Sequence, residues 1–292
     1  MIAYDSSNWW RALALHRSDT FRKLVPLLLL VGLITAAIGY WEVRYLKLGK
    51  ESFVSNLPVM HSLLGFAISM LLVFRTNTAY DRWWEGRKLW GQLVNVSRNT
   101  AVKIAVYAAP DDTSTRSYFA KLIPQFAHEL MQHLRSEKTR LELDARPHPE
   151  IADLDRSKHV PAQVALLMQQ RSMRMYRDGL ISGEQLIALN TDLTQFLDIC
   201  GACERIRNTP IPYSYSSFLK KFIVVYVLTL PFGFVFTLGY IAIPVVMFIF
   251  YVLASLELIA EEVEEPFGKD ANDLPMERLC DMIGKNVAEV LE

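Results

Sequence analysis

A long charge-free segment constrains the fold of this chain more than any other feature. Residues 222–256 contain no Asp, Glu, Lys or Arg across 35 positions. A transmembrane helix needs about 20 apolar residues, so this segment is too long for one crossing. The residues that interrupt its middle are Pro231, Gly233, Gly239 and Pro244. This pattern predicts two transmembrane helices, 222–238 and 240–256, joined by a tight hairpin.

Two further crossings are predicted nearer the N-terminus. Residues 24–41 form an uncharged run of eighteen residues, and it ends in Tyr40 and Trp41, where an aromatic belt is expected. The second crossing is residues 52–74, with Pro58 near its entry. The chain is therefore predicted to cross a membrane four times.

Lysine and arginine near the ends of the predicted spans indicate their orientation. The basic residues that the pattern assigns to the cytoplasmic side are Arg22, Lys23, Arg75, Arg82, Arg87, Lys88, Lys220 and Lys221. The loop after the first span also carries basic residues, which weakens the contrast, whereas the loop after the third has none. The positive-inside rule predicts a multi-pass protein of the cell (inner) membrane, with both termini, residues 75–221 and residues 257–292 in the cytoplasm. Residues 1–23, rich in tryptophan and arginine, are predicted to lie at the membrane interface rather than to form a signal peptide.

Residues 75–221 are predicted to be mostly helical, because their apolar positions recur at intervals of three and four. The periodic positions are Phe119, Leu122, Ile123, Phe126, Leu130 and Leu134, and then Leu186, Leu189, Leu193, Phe196, Leu197, Cys200 and Cys203. The proline-containing segment 137–161 is predicted to be a loop with at most one short helix. No convincing strand pattern occurs, so the predicted fold class is all-α.

Several functions are disfavoured by composition and spacing. The 292-residue chain has a net charge of zero, whereas a nucleic-acid partner would favour a basic surplus. Cys200 and Cys203 have redox-like spacing but lack a preceding strand, which favours a packed helix face. His128 and His133 are five residues apart, too far around a helix to bind one zinc ion as metalloprotease histidines do. Apart from His61, no ionisable residue lies inside a predicted span, so neither an enzyme nor a proton-coupled transporter is expected.

The segment from Leu63 to Gly91 begins as a membrane span and becomes charged and tryptophan-rich at Arg75. No proline occurs between Val59 and Val106, which predicts one long helix that leaves the bilayer and continues into water. Within its apolar half, the large side chains Phe66, Met70 and Phe74 recur every fourth residue, so they share one stripe. Such a stripe is typical of helix packing, and the alternative hypothesis is that it lines an ion pore.

Three stretches resemble a known family. They are GFAISMLLVFRTNTAYDRWWEGRKLWG (65–91), CERIRNTPIPYSY (203–215) and AEEVEEPFGKDANDLP (260–275). The chain resembles the bestrophins, most closely their short bacterial members, over nearly its whole length. The resemblance implies a single all-α channel domain, residues 1–292, that assembles as a homopentamer around a central pore. It also implies that the second span lines a narrow hydrophobic neck through which monovalent ions pass.

The resemblance places Phe66, Met70 and Phe74 at the neck. An apolar ring suits a gate, because a narrow hydrophobic constriction holds water poorly. The positive edges of the phenyl rings can ease the passage of an anion. This sequence has Met70 at the middle level, where animal members carry Phe, so anion (chloride) and cation conduction both stay open. A non-conducting membrane scaffold or sensor is the alternative function.

Glu184 aligns with a second constriction near the cytosolic exit, where the family usually has an apolar residue. Five carboxylates in a ring would attract cations and repel anions. The alternative is a solvated helix start, because Ser182-Gly183-Glu184 is typical of an N-terminal turn.

An acidic run near the C-terminus suggests a metal site. This C-terminal run consists of Glu261, Glu262, Glu264, Glu265, Asp270 and Asp273. Asp270 and Asp273 match two carboxylates of the calcium clasp of animal members, but Lys269, Ala271 and Asn272 stand where those members have further acids. Calcium requires six to eight oxygen ligands. The alternative is a turn at Pro266-Phe267-Gly268 whose acids cap helices or pair with basic residues.

Overall fold

This computed structural model describes residues 20–46, 57–135, 154–155 and 158–291. Within them the chain forms eight α-helices and no β-strand, which confirms the predicted all-α class. The helices are α1 (Thr20–Trp41), α2 (Leu57–Tyr107), α3 (Thr113–Arg135), α4 (Val160–Arg177), α5 (Gly183–Asn208), α6 (Tyr213–Leu238), α7 (Ala242–Glu264) and α8 (Met276–Leu291). The predicted interfacial segment lies almost wholly outside the described residues, as do residues 52–56 of the second predicted span.

The longest element is α2, which runs for 51 residues without interruption. Its length is about 77 Å at a rise of 1.5 Å per residue. No proline follows Pro58 within it, so no backbone hydrogen bond is lost along its length. The prediction of a single helix through Arg75 is therefore confirmed.

Within the part of the chain that the structure describes, four helices are long and apolar enough to cross a membrane: α1, α2, α6 and α7. The connection between the last two is a single turn of 3₁₀ helix, Gly239–Ile241. Gly239 has a φ of +55°, a conformation that side-chain-bearing residues rarely adopt, which explains glycine at the reversal. Pro231 and Gly233 lie inside α6 rather than in the connection, and α6 begins at Tyr213.

The described residues pack into two compact units. The first unit comprises the chain up to Arg82 together with Pro210–Glu265, and the second comprises Trp83–Thr209 and Pro266–Glu292. The helix α2 contributes to both. That residues 1–292 form a single channel domain stays a prediction.

In the first unit, α1 packs against α6 and α7, and α6 packs against α7. Its core is mostly aliphatic and contains Leu24, Leu28, Ile68, Leu72, Leu219, Ile223, Val227, Leu230, Val246 and Phe250. Such a core is expected where four apolar helices each bury only one face inside the chain.

In the second unit, α3 packs against α4, α5 and α8. The rings of Phe126 and Phe196 meet edge to face at a centroid distance of 5.0 Å in its core. All six periodic positions predicted between Phe119 and Leu134 are buried. In the α5 series, Leu186 is half-buried and Leu197 is exposed, whereas the other five positions are buried.

Replacement of Phe196 by Ala removes an aromatic side chain from a fully buried site. We expect the free energy of unfolding to fall by about 3–5 kcal/mol, from lost burial and from the cavity left behind. Chemical denaturation of the purified protein in detergent measures this change. The control is Thr194→Ala, an exposed position on the same helix whose hydroxyl bonds only its own helix backbone; a loss as large there would contradict the packing described.

Candidate ion pathway

The predicted neck residues lie on the outward face of α2. Phe66, Met70 and Phe74 are 73%, 50% and 54% exposed. At about 100° per residue, they point to the side of α2 opposite Ile68 and Leu72, which are buried in the first unit. The stripe is therefore available to a pore, to lipid or to another subunit, and does not serve packing inside this chain.

Hydrogen bonds hold the face of α2 opposite the stripe against α6. His61 is buried, with Nδ1 2.8 Å from the carbonyl of Leu57 and Nε2 3.0 Å from the hydroxyl of Thr229 on α6. The carbonyl can only accept, so Nδ1 carries the proton. The hydroxyl of Tyr215, also on α6, donates to the carbonyl of Leu71 at 2.8 Å. These bonds fix the rotation of α2 and thereby the outward direction of the stripe.

A buried charge cluster joins α2 to α7. Arg75 is only 2% exposed, and its Nη1 lies 2.6 Å from Glu264 Oε2. Its Nε lies 3.6 Å from Oε2 of the buried Glu257. Glu264 Oε1 accepts a further hydrogen bond from the backbone N–H of Ile211 at 2.7 Å. Arg75 thus points away from the stripe, although it directly follows Phe74.

Other acids of the C-terminal run also form ion pairs within the first unit. Glu262 Oε1 lies 2.6 Å from Lys23 Nζ, and Glu261 Oε2 lies 2.9 Å from Lys220 Nζ. The sequence alone suggested a metal site or pairing for this run, and the structure gives the pairing partners. The basic partners belong to α1, α2 and α6, so no local spacing rule could identify them.

Substitution of Arg75 by Gln leaves Glu257 and Glu264 buried without their cation. We expect a loss of about 3–5 kcal/mol in the free energy of unfolding, because removal of one partner of a buried ion pair strands the other charge. Denaturation in detergent measures it. Arg205→Gln is the control: its pair with Glu85 is well exposed, and its loss should cost under about 1 kcal/mol. Equal effects would contradict a special role for burial at Arg75.

Glu184 lies in the first turn of α5. Ser182 is the N-cap, and its hydroxyl forms a capping box with Gln185. The same hydroxyl donates to Glu184 Oε2 at 2.7 Å, which lowers the pKa of that carboxyl. The side chain is fully exposed and charged at neutral pH. One turn further along, Ile187 is 70% exposed, and nothing in the helical periodicity of the sequence had singled it out.

Asp270 and Asp273 lie in the turn between α7 and α8. The carboxylate of the buried Asp273 accepts the backbone N–H of Asp270 at 2.5 Å. The backbone N–H of Leu274 donates to the carbonyl of Pro266 at 2.9 Å and closes the turn. A methyl group at Gly86 of α2 would lie 3.2 Å from the ring of Phe267, so this turn packs closely on α2. One Asp273 oxygen therefore supports the turn; calcium binding at this pair stays a prediction.

Among the residues that the structure describes, one group of three potential metal ligands converges within 4.8 Å: His133, His159 and Glu204. In the sequence, His133 is related by spacing only to His128. The three residues lie at the end of α3, before α4 and on α5, so only the folded chain brings them together.

The three cysteines are buried and free. Burial raises the pKa of Cys200 and of Cys280 to about 12 each, and it also raises the pKa of Cys203. A thiol with so high a pKa is neither a nucleophile nor a redox group at neutral pH. Cys200 and Cys203 therefore contribute to the core of the second unit.

Alkylation measures the reactivity of these buried thiols directly. At pH 8 about one thiol in ten thousand is ionised when its pKa is near 12, so we expect iodoacetamide to modify the folded protein extremely slowly. In denaturant all three cysteines should react at the rate of free cysteine. Rapid labelling of Cys200 before unfolding would contradict its burial.

Comparison with known proteins gives consistent matches over nearly the whole chain. A sequence profile for bacterial and fungal bestrophin proteins matches residues 1–289. A protein of Escherichia coli K12 named voltage-dependent anion channel-forming protein YneE is 34% identical over 286 residues, covering 97% of this chain and 91% of its own. A similarly named protein of Nostoc is 36% identical over 246 residues, covering 80% of each chain.

The fold is also similar to solved structures. The crystal structure of a bacterial bestrophin homologue from Klebsiella pneumoniae superposes with a TM-score of 0.81 and 27% sequence identity. The match covers 92% of this chain and 98% of the other.

Proposed function

Since the chain belongs to the bacterial and fungal bestrophin family, we propose that it forms a homopentameric channel that passes monovalent ions passively through a central pore lined by α2. The family and its relatives are ion channels and not enzymes. The chain is a membrane protein, and four of the helices that the structure describes are apolar and long enough to cross a bilayer. We place it in the cell membrane with both termini in the cytoplasm, as the distribution of lysine and arginine favours.

The observation that carries the proposal is the exposed stripe of Phe66, Met70 and Phe74. Buried bonds fix the other side of α2, so the stripe cannot turn inward without breaking them. Around a five-fold axis, each of these side chains would contribute to a ring. Three successive apolar rings form a neck that opens or closes to water with a small change in width.

Anion conduction is the selectivity that we propose, because the relatives are named anion channel-forming proteins. An apolar neck repels neither sign by charge, and phenyl edges favour an anion. Cation conduction is the second candidate, favoured by the exposed, ionised carboxylate of Glu184. If five copies of Glu184 faced the axis, their field would attract cations. Ile187, exposed on the same helix, is the alternative residue for this constriction.

Replacement of Phe66 by Ala should widen and wet the neck. We expect conductance in planar bilayers to rise several-fold, because dewetting of an apolar constriction depends steeply on its radius. The control is Phe248→Ala, which removes an exposed phenyl ring of α7 and should leave conductance unchanged. An unchanged current in Phe66→Ala would contradict the assignment of the neck to this stripe.

Replacement of Glu184 by Gln tests the second constriction. If Glu184 faces the pore, the reversal potential under a salt gradient should shift toward the anion equilibrium potential, since five negative charges are removed. Glu289→Gln, at an exposed carboxylate on α8, is the matched control. No shift relative to that control means that Glu184 serves only the start of α5.

The channel itself is tested by ion flux into liposomes. The assembly must first be confirmed as five chains of 33.4 kDa by native mass spectrometry. Flux of chloride or of a monovalent cation is the expected result. A confirmed pentamer without flux of either would favour the non-conducting scaffold, and an assembly of another size would overturn the five-fold pore.

A further inference from the structure

Two histidines and one glutamate converge in the second unit, and none of them is a residue proposed for conduction. His133 Nε2 lies 2.5 Å from Glu204 Oε1, and His159 Nε2 lies 2.7 Å from the same oxygen. The centroids of the two imidazole rings are 4.6 Å apart. All three side chains are partly exposed, so solvent ions reach them.

We propose that His133, His159 and Glu204 bind a divalent transition metal ion of the zinc type. Two imidazole nitrogens and one carboxylate oxygen form a donor set that zinc favours, and each residue here offers one such atom within 4.8 Å of the others. Three protein ligands leave a fourth position for water. The ion would tie together the end of α3, the residue before α4 and the last third of α5.

The hydrogen bonds of the metal-free site show which proton the ion must displace. His159 is the N-cap of α4, and its Nδ1 accepts the backbone N–H of Ala162 at 3.1 Å. Its proton therefore lies on Nε2 and is donated to Glu204, whose pKa the two histidines lower. An ion at Nε2 moves that proton to Nδ1, and the cap to Ala162 is lost. Loss of a helix cap weakens binding by roughly two- to thirty-fold, far less than zinc ligation strengthens it.

The backbone around the site is held in place. Arg207 Nη1 donates to the carbonyl of His133 at 2.7 Å, which fixes the end of α3 next to α5. Glu204 lies one turn after the buried Cys200 on α5, so it projects from the edge of the packed face of that helix. The ligands therefore approach from well-placed helices, and binding requires side-chain rather than backbone movement.

The experiment uses the full-length protein in detergent, stripped with a chelator and then titrated with zinc against a chromophoric competitor. We expect one zinc per chain at micromolar free zinc. X-ray absorption at the zinc edge should show two imidazole ligands. His128→Ala, which changes another histidine of α3, is the control and should bind zinc as the wild type does.

Three conservative variants separate metal binding from folding. His159→Asn keeps a capping oxygen, Glu204→Gln keeps an acceptor, and His133→Gln keeps a polar side chain. Each should weaken zinc binding at least roughly ten-fold while circular dichroism shows an intact helical fold. The proposal is overturned if the wild type binds no zinc at micromolar concentration, or if the variants bind it as the control does. Neither outcome depends on ion conduction, so the result is independent of the proposed channel.

Discussion

The buried contact between Arg75 and Glu264 is the interaction on which the arrangement of the first unit depends. A guanidinium buried to this extent loses most of its hydration, and only a well-placed carboxylate compensates that loss. Glu264 ends α7, and Arg75 lies where α2 changes from apolar to charged sequence. The pair therefore ties the register of α2 to that of α7. A slip of α2 by one residue would leave both charges buried and unpaired.

The same contact determines what α2 presents outward. A helix turns about 100° per residue, so fixing Arg75 inward also fixes the directions of Phe66 and Met70. The hydrogen bond between His61 and Thr229 holds α2 at a second point, nearer to the start of the helix. Two fixed points on one uninterrupted helix leave no freedom of rotation between them. The apolar stripe is thus a consequence of the buried polar contacts on the opposite side.

Much of the fold was predictable because its signals are local. Uncharged runs of sufficient length identified the four apolar helices, and the absence of proline identified the long helix. The buried positions of α3 followed from spacing, since one helix face meets the core. Leu197 shows the limit of such spacing: it fits the apolar period of α5 but is exposed.

Contacts between distant segments were not predictable in the same way. Spacing within one helix carries no information about which residue of another helix lies opposite. For this reason the sequence did not show that Arg75 pairs with an acid of the C-terminal run. It also did not show that His133 lies close to His159 and Glu204. The sequence by itself determined the helices, their apolar lengths and the candidate stripe, because hydrophobicity and helix breakers act over a few turns. Only the tertiary structure decided which charges are buried together and which face of α2 stays exposed, because these depend on packing between residues far apart in the chain.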